Sequence, residues 1–212
     1  MDNKDKLLIS ILRDNGRTSL SDLGKELGMS HVAVSKRLEK LVSPQVDENG
    51  HKTPPIVRVT AGVNADTLQM KMLFMGLETE NMEVTDRILK KYSDCPRLVM
   101  LAPVTGRYNL FAVMVAEDTF SLESILGTCS IRTESGIRRS ETWFGNSPMA
   151  PEYINLDLSP SRGGKTASCG RDCGACKRFT SERCVGCPAG ISYRGTIYAS
   201  PLTEAKRGNK KE

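Results

Sequence analysis

Five cysteines fall within nineteen residues: Cys169, Cys173, Cys176, Cys184 and Cys187, spaced C-x3-C-x2-C-x7-C-x2-C. Thiolates are soft, anionic ligands, and at this density they hold a metal ion or an iron–sulfur cluster. Two assignments fit the spacing. The pairs Cys173/Cys176 and Cys184/Cys187 form the double C-x2-C of a tetrahedral zinc site, which leaves Cys169 over. Alternatively, Cys169, Cys173 and Cys176 supply three ligands of a 4Fe-4S cluster, and Cys184 or Cys187 the fourth. Pro188 directly after the last cysteine also occurs in ferredoxin-type runs. Spacing alone leaves zinc and the cluster open. Arg171, Lys177, Arg178 and Arg183 lie between and around the ligands and offset the charge of about −2 that either centre carries with four thiolates. The remaining cysteines, Cys95 and Cys129, read as ordinary thiols.

The elements that must carry this centre lie upstream. With 212 residues, 39% hydrophobic, the chain can build two small packed domains. It opens on charged residues rather than an apolar leader, and it has no apolar run near the ~20 residues of a membrane span. A cytoplasmic protein is expected, where clustered cysteines bind metal rather than pair as disulfides. The net charge of +5 divides into +2 over residues 1–64, −2 over 65–147 and +5 over 148–212, which marks three segments.

In the first segment, Leu7, Leu8, Ile11 and Leu12 form one helical stripe closed by Asn15-Gly16. Ser19 caps a second helix with Leu20, Leu23 and Leu27 inside, and Asp22 completes a capping-box-like start. Gly28 ends it, and Ser30 caps a third helix carrying Val34, Leu38 and Leu41. Two helices joined by so short a glycine turn make a helix-turn-helix. The third helix would enter a major groove, with His31 or Ser35 reaching base edges and Lys36, Arg37 and Lys40 meeting phosphates. Asn49-Gly50 signals a hairpin turn, and Ile56–Thr60 reads as a strand, so a wing is expected after the third helix.

Residues 65–147 read as βαββαβ, a ferredoxin-like sandwich: strands near 68–79, 97–104, 108–116 and 136–144, with helices near 83–92 and 119–128. The expected class is therefore α+β, with a winged helix-turn-helix at 1–64, the sandwich at 65–147, a Pro/Gly/Ser-rich linker at 148–168, a small cysteine-rich module at 169–190 and a basic tail at 191–212. Gly164-Lys165-Thr166 lacks the first glycine of a phosphate-binding loop and is set aside.

The first segment resembles the Lrp/AsnC family of transcriptional regulators. Asp5, Ile11, Leu12, Gly16, Arg17, Ser19, Leu23, Leu27, Ser30, Val34, Arg37, Leu38 and Leu41 stand at the family's places, and Gly24 replaces its usual Ala. In the second segment, Val104 to Leu110 is similar to the family's glycine turn, with Asn109 for the usual Asp, and Gly136-Ile137 precedes the last strand. The resemblance implies double-stranded DNA as partner and a dimer or higher even oligomer. It also implies a small-molecule effector held near Thr105, Gly106, Arg107, Tyr108 and Asn109. The missing carboxylate at Asn109 removes a partner for an α-amino group. The cysteine segment resembles a CGxxCxxC…CxGC motif of small archaeal and bacterial proteins. The resulting expectation is a non-enzymatic DNA-binding regulator carrying a redox- or metal-responsive module. The alternatives are a metabolite- or metal-sensing adaptor that does not read DNA, and a small iron–sulfur redox protein.

Overall fold

The computed structural model describes residues 1–46, 48, 50–128, 131–160, 166–167 and 169–199. Asn49 of the hairpin signal, Cys129, Gly164-Lys165 and the last residues of the basic tail, from 200 onward, lie outside the described residues. The chain folds as two units that meet between Ala61 and Gly62.

The first unit is built from α1 (Asn3–Asp14), α2 (Leu20–Leu27), α3 (His31–Val42) and a hairpin of β1 (Gln45–Val46) and β2 (Lys52–Thr53). Its core is Leu8, Leu23, Leu27, Val34 and Leu41, the stripes that helical periodicity selects. Each helix starts where a side chain caps it: Asp2 for α1, Ser19 for α2 and Ser30 for α3. Gly28 ends α2 in the left-handed conformation at φ 61°. The hairpin supplies the expected wing. Ile56–Thr60 is not a strand; Val57 instead donates its N–H to Leu41 O at 3.0 Å and packs against the helical core.

The second unit opens with β3 (Val63–Asn64) and continues as β4 (Lys71–Thr79), α4 (Met82–Tyr92), β5 (Leu98–Pro103), β6 (Leu110–Ala116), α5 (Thr119–Gly127) and β7 (Ile137–Gly145). From β4 to β7 this is the βαββαβ order, within one or two residues of the expected bounds for most elements. The sheet is antiparallel in the order β5-β6-β4-β7. Alternation splits its side chains between two faces. Leu73, Met75, Leu77, Leu110, Ala112 and Met114 face a core with Val84 and Ile88 of α4 and Leu122 and Ile125 of α5. Met72, Val113 and Val115 belong to a second core.

That second core changes the reading of the third segment. Residues 148–168, expected as a linker, contain β8 (Tyr153–Ile154), which pairs with β3. Ile154 and Leu156 are buried with Met70, Met72, Val113 and Val115, and Tyr193 and Tyr198 join them from further along the chain. Ala167, Cys169, Cys187 and Ala189 enter the first core instead. The cysteine segment is therefore not a separate module on a tether. It closes over both faces of the sheet and is part of the same unit. An antiparallel sheet with helices on one face leaves an apolar second face that needs a cover, and these residues supply much of it.

Candidate functional site: a reading helix and a thiol-lined cavity

The helix-turn-helix turn is tight. Met29 donates its N–H to Gly24 O at 2.8 Å, and a Cβ on Gly24 would stand 2.6 Å from Met29 O. Only glycine fits this turn as built, which accounts for its replacing Ala. On α3, His31, Lys36 and Lys40 are exposed and Ser35 is half-buried. Val32, which periodicity did not single out, is 50% exposed beside His31. Arg37 is committed elsewhere: its guanidinium meets Asp2 Oδ2 at 2.8 Å and Asp5 Oδ1 at 2.6 Å. The same two carboxylates form the reciprocal capping box of α1. Backbone N–H bonds first, and Arg37 second, hold both carboxyls below their ordinary range. Arg37 thus pins α3 to the start of α1, and the free cations of this helix are Lys36 and Lys40.

The glycine turn before β6 places its residues unevenly. Thr105, Gly106 and Arg107 are exposed, and Gly106 takes φ 144°. Tyr108 lies across β4, where a Cβ on Gly76 would come within 2.6 Å of its ring; its hydroxyl donates to Glu141 at 2.6 Å. Asn109 does two jobs with one amide. Its Oδ1 accepts from Thr79 N–H at 2.8 Å and its Nδ2 donates to Thr79 O at 3.1 Å. An aspartate could make only the first bond, so the Asp-to-Asn difference has a structural cause at the end of β4.

The cysteines meet at one cavity of about 520 Å³, between α5 and the loops around α6 (Lys177–Thr180). Cys173, Cys176, Cys184 and Cys187 line it; Cys169 does not, and is buried in the first core. Cys187 N–H donates to Cys173 Sγ at 3.2 Å. Burial raises the Cys173 thiol to about 11 and, with Cys187 and Cys169 nearby, pushes Cys95 up to about 12. Cys95 is therefore not remote from the cluster, as its place in the sequence implied. Among the described residues, no three His, Cys, Asp or Glu side chains are arranged to hold a single metal ion.

The cavity also contains a residue that sequence reasoning missed. Arg97, 4% exposed, precedes β5 and lines the cavity wall. Its Nη2 donates to Glu117 Oε2 at 2.6 Å and to Gly186 O at 2.7 Å. It ties the sheet to the loop carrying Cys184 and Cys187. Arg178 ties the other side, donating from Nε to Ser124 Oγ at 2.6 Å and pairing with Glu123 at 2.8 Å on α5. A lone arginine before a strand carries no signal in sequence; only the fold brings Glu117 and Gly186 to it.

A capped helix-turn-helix followed by a βαββαβ sheet defines the class by architecture: a helix-turn-helix protein with an α+β sheet unit. Residues 1–42 match the AsnC-type helix-turn-helix domain family. HTH-type transcriptional regulator Ptr1 of Methanocaldococcus jannaschii is 26% identical over 127 residues, covering 59% of this chain and 79% of that protein. LysM of Sulfurisphaera tokodaii is 28% identical over 140 residues, covering 61% and 92%. The fold matches that of Escherichia coli AsnC with a TM-score of 0.55, 22% identity and coverage of 68% and 91%. It matches the leucine response regulatory protein LrpA of Mycobacterium tuberculosis with 0.56, 19%, 74% and 100%. The chain is a DNA-binding transcriptional regulator whose first 42 residues are similar to the AsnC-type helix-turn-helix domain, and the relatives named above are HTH-type transcriptional regulators. No helix among the described residues is long and apolar enough to cross a membrane.

Proposed function

We propose that the chain reads a specific double-stranded DNA site through α3 and assembles as a dimer or higher even oligomer. In this reading the cysteine segment carries a metal centre, zinc or a 4Fe-4S cluster, whose state biases that assembly. The observation that carries it is the cavity. Its thiols are fixed to the sheet unit through Arg97 on one side and Arg178 on the other, so a change at the centre acts on the sheet directly. In this reading His31 and Ser35 of α3 reach base edges, Val32 a thymine methyl, and Lys36 and Lys40 phosphates; the exposure of His31, Val32, Lys36 and Lys40 supports it. Thr105, Gly106 and Arg107 remain available to a small effector, while Tyr108 and Asn109 shape the loop from behind.

Selection of binding sites from random duplexes, followed by gel shift across a salt series, tests the reading. A recurring site whose affinity falls as salt rises is expected. If no sequence is enriched over random duplex, α3 does not read DNA. If one is enriched but affinity is equal with the metal present and stripped, the centre does not regulate it.

A further inference from the structure

Between its two free lysines, α3 carries a carboxylate, Glu39. It is exposed, as are Val32, Lys36 and Lys40. Helical residues three, four and seven apart share a face. Glu39 therefore stands one turn beyond Ser35 and Lys36 and two turns beyond Val32, opposite the buried stripe of Val34 and Leu41. Lys36 and Lys40 lean to one flank, where with Ala33 and Arg37 they line a cleft beside Asp2. Val32 and Glu39 are not part of that cleft and hold the middle of the exposed face. Among the described residues, no Lys or Arg forms an ion pair with Glu39.

A carboxylate at the centre of a face that enters DNA is repelled by the phosphates flanking the groove. A hydrogen-bond donor on a base edge offsets that cost. In the major groove cytosine presents its N4 amino donor and no acceptor. Adenine sets its N7 acceptor beside the N6 donor, and guanine and thymine present acceptors. A lone acceptor such as Glu39 therefore meets attraction without repulsion on the cytosine edge alone.

We propose, on the reading of α3 as the DNA-contacting helix, that Glu39 is a specificity-determining residue that accepts a hydrogen bond from a cytosine N4 in the bound site. The same charge acts against every other sequence. Where the cytosine is missing, the carboxylate is left among phosphates without a donor, and binding weakens. Glu39 thus lowers the affinity for random DNA while Lys36 and Lys40 raise it for all DNA alike.

The test selects binding sites from random duplexes with the full chain, Glu39→Ala and Glu39→Gln, then measures affinity for the selected site and its single-base variants. Glu39 is exposed, so both variants should keep the fold, which a melting curve checks. The unaltered chain should select a site with a position fixed as cytosine, and replacing that base pair should weaken its binding about 5- to 140-fold. Glu39→Ala should select the rest of the site, accept any base at that position, and hold random duplex more tightly. Glu39→Gln, whose amide suits adenine N6 and N7, should shift the preference there to adenine. If Glu39→Ala still demands cytosine at every position where the unaltered chain does, the inference falls while α3 remains the reader. If Glu39→Ala tightens binding to all duplexes equally, Glu39 is only a repelling charge, and the inference falls again. If the unaltered chain enriches no site, the reading of α3 itself fails.

Discussion

Asn109 shows how one atom can decide a residue's role. Its amide bridges both backbone groups of Thr79, and replacing it with aspartate puts a carboxylate oxygen against a carbonyl. Asn109→Asp should lower stability by about 1–3 kcal/mol, the cost of an unsatisfied or repelled partner in a half-buried pair. Thermal denaturation of the two chains checks this, and an unchanged midpoint would mean that the loop relaxes freely. Arg37 offers a second case. Sequence places it with the phosphate-binding lysines, because an exposed stripe position and a basic residue are all that periodicity can see. The structure gives its guanidinium to Asp2 and Asp5. Their folded pKa values are depressed from 3.8. The stability they contribute is therefore present above the unfolded value and lost as pH falls through the lower folded one. Acid titration of the first unit's unfolding should show this loss below about pH 4, and Arg37→Ala should flatten it. In salt-dependent DNA binding, Lys36→Ala should reduce the slope by about one, whereas Arg37→Ala should leave the slope nearly unchanged.

At the scale of the element, the helices were legible because their signals are local. Ser19, Gly28 and Ser30 cap and end helices through contacts within a few residues, and leucines at helical spacing name the core before any fold is known. The βαββαβ order was legible for the same reason: each strand alternates and each helix has its stripe. The exception is Gly24, whose importance rests on a close approach to Met29 O across the turn. Alanine there gains about 1 kcal/mol of helix propensity but meets a backbone oxygen, which cannot move without opening the turn. Gly24→Ala should therefore destabilise the first unit, by about 1–3 kcal/mol as for overpacking elsewhere, and weaken DNA binding as α3 is displaced. A stabilised variant would show that the turn has slack.

At the scale of the molecule, the strap of described residues from Tyr153 to Tyr198 that covers the sheet, and the cavity, were not legible, and the reason is physical. Ile154, Leu156, Tyr193 and Tyr198 lie in short stretches bounded by Pro, Gly and Ser. Ile154 and Leu156 alternate with Asn155 and Asp157, but the run is too short to stand out from its Pro- and Ser-rich surroundings. Tyr193 and Tyr198 have no period at all, and only a long-range partner reveals these residues as core. Tyr198 is held by such a partner, donating its hydroxyl to Pro96 O at 3.1 Å. These four side chains, buried against Met70, Met72, Val113 and Val115, contribute at most about 1.5–3 kcal/mol each. Their sum is comparable to the whole net stability of about 5–15 kcal/mol of an ordinary domain. A chain ending at residue 147 therefore exposes an apolar sheet face that it cannot leave in water. It should precipitate, or bury that face by associating with another copy, and in either case bind a hydrophobic dye that the full chain does not. Light scattering with dye fluorescence checks this. A truncated chain that keeps the full chain's oligomeric state, melting point and low dye signal would show that the strap only decorates the sheet, and that the cysteine cavity has no mechanical hold on it.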